Sequence, residues 1–250
     1  MALFIQLIGQ PGVGKSYFAK KLAEVKRGVV LSFSKDVYRL AAIVKGEPID
    51  KRKKEDRELL RLIGTEWGRE SRDISEEIQR KLESHKPKEW GTPDIWARMF
   101  VSDCRSLPPN VSVINDDTRF LNELEISMAT LGFIPVLVVC REETRQGRLR
   151  IRGDMHDPSD TDHLSEEIAS FLSLHGLIQP LLPTIWNDAE FSRPLKPWVY
   201  GWNEFHLIAS QCESNAELAE HLNWTPQKAE TLVSVLRGQL DQQPEVILND

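Results

Sequence analysis

Apolar residues come in short unbroken runs, separated by stretches with helical spacing. Leu3-Phe4-Ile5-Gln6-Leu7-Ile8 is apolar at all but one position, the pattern of a strand buried on both faces. Beyond a glycine-rich stretch, Phe18 with Leu22 and Ala19 with Ala23 recur four apart, predicting a helix from Ser16 that Gly28 closes. Val29–Phe33 reads as the second strand. Strand, glycine loop, helix, strand is the opening βαβ unit of an α/β domain. Residues 35–85 read as mostly helical and charged, and the mixed-sign run from Lys51 to Glu58 as a solvated helix start. Downstream, helices are predicted over Asp94–Arg105, Asn122–Leu131 (closed by Gly132) and Glu166–Leu174. Strands are predicted over Val111–Ile114, Ile134–Cys140 and Thr184–Trp186.

The pattern changes after Pro180, Pro183, Pro194 and Pro197. Three short helices follow: Phe205–Ser210, Asn215–Leu222 and Pro226–Arg237. Ser214 and Glu217 have capping-box spacing, Thr225-Pro226 is a helix start, and Gly238 is a stop. A boundary near 195–205 is therefore expected, with residues 1–195 as one α/β domain and 205–240 as a small all-α, helix-turn-helix-like appendage. Trp198, Tyr200, Trp202 and Phe205 read as the apolar seam between them.

Composition narrows the class. A chain of 250 residues, 40% apolar and 28% charged, has the make-up of a folded globular protein and not of a disordered one. The net charge of −6 speaks against a broad nucleic-acid-coating surface. Residues 206–241 hold only Lys228 and Arg237 against five acidic side chains, which favours a packing or dimerisation role for the tail over DNA reading. Cys104, Cys140 and Cys212 are far apart and form no CxxC pair, which points to a reducing, cytoplasmic setting. Ala2–Ile8 reads as a strand and not as a secretory leader, and no run reaches the length of a membrane span.

Gly9-Gln10-Pro11-Gly12-Val13-Gly14-Lys15-Ser16 matches GxxxxGK[ST] in full. Glycines at 9, 12 and 14, with Val13 between them, let backbone N–H groups converge on an anion, and the following helix adds its positive end. Lys15 is placed for the β- and γ-phosphates, and the Ser16 hydroxyl for Mg²⁺. The motif sits between a buried strand and a helix, as its mechanism requires. It implies nucleotide binding, with ATP and Mg²⁺ as expected cofactors, but names no reaction.

A second constellation, Asn115 to Glu123, closes the third predicted strand, where open α/β sheets face their ligands. Asp116 there is a candidate Mg²⁺ ligand, and Asp117 and Arg119 are candidate catalytic groups. Asp117, Arg119, Phe120, Asn122 and Glu123 match an Asp-x-Arg-Phe-x-Asn-Glu signature. Arg57, Leu60, Gly64 and Thr65 match a Gly-Thr after a charged helix. Asp94, Trp96 and Arg98 match a tryptophan-bearing helix, and His163, Ser165 and Glu166 a His-x-Ser-Glu segment. In this order, over about residues 1–190, the chain resembles the phage-type deoxynucleoside monophosphate kinases.

The resemblance implies a P-loop kinase fold: a central parallel sheet, a helical monophosphate-binding region and a lid. It implies transfer of the ATP γ-phosphate to a deoxynucleoside monophosphate, in a cytoplasm that is the host's if the chain is phage-encoded. A homodimer is the expected assembly. Arg145 and Arg148, in an arginine-rich stretch from Arg141 to Arg152, are candidate lid groups with Gly153–Asp160 as the tip; the alternative is a solvated helix face balanced by Glu142 and Glu143. Candidate substrate contacts are Lys35, Thr65, Arg69, Trp96, Glu123 and Glu166. Lys35 reads equally as a surface lysine and Trp96 as core. Asn187 is a candidate border of the adenine. Other readings stay open: another small-molecule P-loop kinase, adenylate-kinase-like, or a nucleotide-switched DNA-binding regulator.

Overall fold

The structure, a computed structural model, describes residues 2–70, 75–87, 90–152, 181–188 and 198–240. Numbered among these residues, the elements are β1 (Phe4–Ile8), α1 (Lys15–Lys26), β2 (Val29–Val30), α2 (Lys35–Lys45), α3 (Lys54–Arg61), α4 (Glu76–Leu82), α5 (Ile95–Ser106), β3 (Val113–Asn115), α6 (Leu121–Leu131), β4 (Ile134–Val139), α7 (Glu142–Arg152), β5 (Thr184–Trp186), β6 (Val199–Gly201), α8 (Trp202–Gln211), α9 (Asn215–His221) and α10 (Pro226–Leu240). The strands form one parallel sheet in the order β2-β3-β1-β4-β5-β6. The expected α/β three-layer architecture is observed.

Strand periodicity sorts side chains between the two helical layers. Leu3, Ile5, Leu7, Ile114, Val136 and Val138 face α1, α8 and α9. Ile8 and Leu137 face the other way, onto α6 and α10 through Leu124, Leu232 and Leu236. Farther along that face, Val113 packs with Ala97, Phe100 and Cys104 of α5. A separate core built from Val37, Leu40, Ile63, Trp67 and Trp96 holds α2 to α5 together.

The chain passes from β1 outward to β2, returns to β3 beside β1, then crosses to β4 on β1's other side. That reversal is a topological switch point, where an open α/β sheet offers a crevice at its strands' carboxyl ends. The glycine loop, Ser32–Ser34, Asn115–Arg119, the start of α7 and Asn187-Asp188 all follow carboxyl ends at this one edge.

Two strands depart visibly from the expected bounds. β2 stops at Val30, because the backbone N–H groups of Phe33 and Ser34 turn out of the sheet toward the Asp117 carboxylate, at 2.9 and 3.1 Å. β3 begins at Val113, and the Ser112 hydroxyl accepts the Leu3 N–H at 3.0 Å.

The boundary expected near 195–205 runs across β6 and the start of α8, within one sheet. Val199–Gly201, expected only as seam, pairs in parallel with Thr184–Trp186. Phe205, Ala209, Leu218 and Leu222 of the tail lie in the same core cluster as β1 and β4. The Trp202 ring stacks on Phe18 with centroids 4.2 Å apart. Lys26 Nζ donates to the carbonyls of Ser210 and Cys212, at 2.7 and 2.6 Å, and so closes the carboxyl end of α8. Asn215 bridges the Phe4 N–H and the Gly132 carbonyl, at 2.7 and 2.8 Å. The Ser214 hydroxyl caps α9 as its spacing suggested, but Gly238 does not end α10, which runs to Leu240. None of the described helices is long and apolar enough to cross a membrane.

Candidate functional site

Gly9, Gly12 and Gly14 all take left-handed φ values, +148°, +87° and +104°. Only glycine holds such angles cheaply, and that curls the loop around its own N–H groups. At Gly9 the reason is also steric, since a Cβ there would stand 2.4 Å from the Val138 carbonyl oxygen. Lys15 opens α1, and its ammonium turns back onto the Gly9 and Gln10 carbonyls. Ser16 is exposed beside it.

α7 lies across this loop. The Arg145 guanidinium is bidentate to Glu142, at 2.8 and 2.6 Å, and donates to the Pro11 carbonyl at 3.3 Å. Arg148 donates to the carbonyls of Val13 and Asn187, both at 3.2 Å. The hydrogen bonds from Arg145 hold the Glu142 carboxyl down at about 2. The helix is charge-balanced by Glu142, and Arg145 and Arg148 donate to carbonyls of the loop. The expected tip at Gly153–Asp160, and His163, Ser165 and Glu166, lie outside the described residues.

Asn187, the candidate border of the adenine, donates its amide to the Val13 carbonyl at 2.6 Å and so braces the loop from β5. Asp188 accepts the Arg141 N–H at 2.8 Å and ties α7's start to the same strand end.

Beyond β3 a buried polar chain replaces apolar packing. The Ser127 hydroxyl lies 2.8 Å from Gln6 Oε1, and Gln6 Nε2 donates to Thr118 at 2.7 Å. Thr118 donates to Asn115 Oδ1 at 2.7 Å, and Asn115 Nδ2 donates to Asp117 at 2.8 Å. Asp117 also accepts from the hydroxyls of Ser32 and Ser34 and from the N–H groups of Phe33 and Ser34. Five donors thus occupy its carboxylate. Asp117, a candidate catalytic group, is through these bonds the clasp between β3 and the turn into α2. Its neighbour Asp116 accepts no hydrogen bond among the described residues and is half-buried.

Arg69 and Glu123 form the next cluster. Helix α3 continues as a π-helical turn over Leu62–Trp67, in which Gly68 N–H bonds Ile63 O and Glu70 N–H bonds Thr65 O. The shift leaves the Gly64 carbonyl to accept from Arg69 Nη1 at 2.8 Å and from Trp96 Nε1 at 2.7 Å. The Arg69 guanidinium carbon sits 3.9 Å from the Phe120 ring centroid, and Nη2 donates to Glu123 Oε1 at 2.7 Å. Glu123 Oε2 accepts the N–H groups of Arg119 and Phe120, at 2.9 and 3.2 Å, and so caps α6. Burial pushes the Glu123 carboxyl up to about 7 against the pull of Arg69, with Asp117 adding to the rise. Glu123 was expected to touch substrate, but both its oxygens are committed and its side chain is only 3% exposed.

Of its two readings, Trp96 takes the core one. It is 1% exposed in the α2–α5 core, its indole N–H is satisfied by Gly64, and it offers no face to a base. Thr65 sits in the π turn, half-buried, with no side-chain hydrogen bond among the described residues. Lys35, at the start of α2, pairs with Asp103 at 2.7 Å, and that bond raises its pKa. The side chain of Arg119 is exposed and makes no hydrogen bond or ion pair among the described residues. Sequence reasoning missed Ser32, Ser34, Asn115 and Gln6. The available signals were a Ser-Phe-Ser at a strand end and one polar residue inside an apolar strand.

The Ser16 hydroxyl and the Asp116 carboxylate are hard oxygen donors at adjacent strand ends. That set suits Mg²⁺, which takes one or two protein oxygens and fills its shell with phosphate and water. No group of three or more His, Cys, Asp or Glu is arranged to hold a metal among the described residues.

No protein-family model and no curated protein matches the chain. Among solved structures it is similar to an unliganded sugar kinase from Janibacter sp. HTCC2649, at 11% identity and TM-score 0.35, with 91% of this chain and 98% of that chain covered. It is also similar to a gluconokinase from Sinorhizobium meliloti 1021, at 13% identity and TM-score 0.34, with 96% and 95% covered. Overlaps this loose bear on neither substrate nor mechanism.

Proposed function

We propose that the protein is an ATP-dependent phosphotransferase whose acceptor is a deoxynucleoside monophosphate. The observation that carries the reading is a glycine phosphate loop, with Lys15 and Ser16, sharing the carboxyl edge of the sheet with Arg119 after β3, whose charge also acts on Arg69. Two anion-seeking centres at one crevice suit a reaction that brings two phosphates together. The acceptor identity rests on the resemblance carried by Asp117, Arg119, Phe120, Asn122 and Glu123.

In this reading an acceptor phosphate oxygen attacks the γ-phosphorus. The bond from that phosphorus to the β–γ bridging oxygen breaks, and ADP leaves with the electron pair. The loop N–H groups and Lys15 hold the donor phosphates, Arg69 and Arg119 hold the acceptor, and Arg148 would leave the Val13 and Asn187 carbonyls to meet developing charge. An acceptor that is already anionic needs no general base. Mg²⁺, bound through Ser16 and Asp116, would neutralise charge on the donor phosphates.

The test is incubation with ATP, Mg²⁺ and each of dAMP, dCMP, dGMP and dTMP. ADP and a deoxynucleoside diphosphate are expected in equal amounts from at least one. Diphosphate from none of them overturns the acceptor assignment, and transfer to AMP or gluconate alone would establish another small-molecule kinase.

A further inference from the structure

Two arginines stand on the proposed acceptor side. Burial opposes the charge of Arg69, and Arg119, whose own side chain is exposed, is near enough to oppose it further. Arg69 lies against Phe120 with its side chain only 12% exposed, and its Nε is buried without a hydrogen-bond partner. Such an arrangement needs a counter-charge to persist.

Glu123 is the acidic group set against Arg69, whose pull works against the burial that raises the carboxyl to about 7. One oxygen takes Arg69 Nη2, and the other takes the backbone N–H of Arg119 and of Phe120. A single carboxylate thus fixes the direction of the first guanidinium and the backbone origin of the second. The Gly64 carbonyl, freed by the π turn, fixes Arg69 from its other side. Phe120 supplies the stacking plane.

We infer that Glu123 is a positioning residue that presets Arg69 and Arg119 as a two-guanidinium clamp for the acceptor phosphate, without touching that phosphate itself. The inference rests on the phosphotransferase reading and adds the residue that builds its acceptor half. Its consequence is selective. The donor site is assembled by the glycine loop, α7 and Asn187, and none of these bonds to Glu123 in the described residues.

The experiment is steady-state kinetics of Glu123→Gln, Arg69→Lys and the double variant, with ATP and whichever of the four deoxynucleoside monophosphates the native protein accepts. Glu123→Gln keeps the shape and loses the charge. The acceptor KM is expected to rise about tenfold or more, the ATP KM to stay within about twofold, and the double variant to be no worse than Arg69→Lys alone. An unchanged acceptor KM, equal rises in both KM values, or additive losses in the double variant would overturn the positioning role while leaving the function intact. A native protein that phosphorylates none of the four overturns the function, and the acceptor clamp with it. If Glu123→Gln does not fold by circular dichroism, Glu123→Asp takes its place. It keeps the charge but retracts the carboxylate by one methylene, and the same outcomes decide.

Discussion

The glycine loop and the Arg69–Glu123 cluster stand at neighbouring strand ends, after β1 and after β3, but are built from different material. In the loop, backbone does the shaping. Three glycines take angles other residues avoid, and side chains from α7 and β5 brace its carbonyls from outside. In the cluster, side chains do the shaping, and the acidic ones are used up in doing it. Asp117 spends its carboxylate on the turn into α2, and Glu123 spends its own on Arg69 and the start of α6. A loop of backbone donors is robust to its neighbours. A cluster of opposed charges depends on every partner, so damage in the two regions has different signatures.

Lys15→Ala probes the loop and carries the largest expected effect. Turnover should fall at least about a hundredfold, because the ammonium that neutralises the donor phosphates is gone. The thermal midpoint should barely move, since the Lys15 ammonium bonds carbonyls of an already braced loop. Kinetics and thermal unfolding on the same preparation check both halves. A large loss of stability would mean that the lysine also holds the loop together.

Adjacent aspartates supply the sharpest contrast on the other side. Asp117→Ala strands five donors, two of them backbone N–H groups, and should cost about 3 kcal/mol, roughly 9 °C in melting temperature. Asp116→Ala breaks no hydrogen bond among the described residues and should leave the melting temperature within about 2 °C. Its damage should appear as a weaker response of turnover to Mg²⁺. If the two variants exchanged these phenotypes, the roles given to the pair would be reversed.

That contrast also explains what could be read without coordinates. The loop was legible because its logic is local: glycine positions, the lysine and the flanking strand and helix lie within a dozen residues. Gly132 at the end of α6 and Ser214 at the start of α9 were legible for the same reason. The roles of Asp117 and Glu123 were not, because each is set by a partner far along the chain, Ser32 and Arg69 respectively. An aspartate in a charged motif looks the same whether it meets a metal or a serine. The π turn at Leu62–Trp67 inserts one residue into a helical register and leaves no mark on apolar periodicity. β6 was missed because three residues carry too little alternation to register, and only pairing with Thr184–Trp186 makes them a strand.

The Glu123 carboxyl gives the cluster a pH signature that the loop lacks. Its native value of about 7 lies above the ordinary 4.5, so between these values the folded protein binds more protons than the unfolded chain. Glu123 should therefore subtract stability as pH rises from about 4.5 to about 7. The opposite sign holds for Asp50 and Glu142, whose arginine partners hold them at about 2; they add stability above the unfolded values and lose it on acidification. The informative quantity is the melting temperature of native protein minus that of Glu123→Gln, measured from about pH 5 to about pH 8. It should decline with rising pH and level off above 7. A flat or rising difference would show that Arg69 outweighs burial.

Trp96→Phe sharpens the comparison by the smallest expected change. The indole N–H shares the Gly64 carbonyl with Arg69, so its loss removes one of two bonds that hold the freed carbonyl in place. Phenylalanine keeps most of the apolar packing with Trp90 and Ile63 but lacks the donor. A cost of about 1 kcal/mol is expected, roughly 3 °C in melting temperature. Acceptor KM should change by less than about twofold, because Glu123 and Phe120 still hold the guanidinium. A stacking platform for a base would respond differently, losing acceptor affinity with little change in stability. The order in which stability and KM respond therefore separates a core tryptophan from a substrate-facing one.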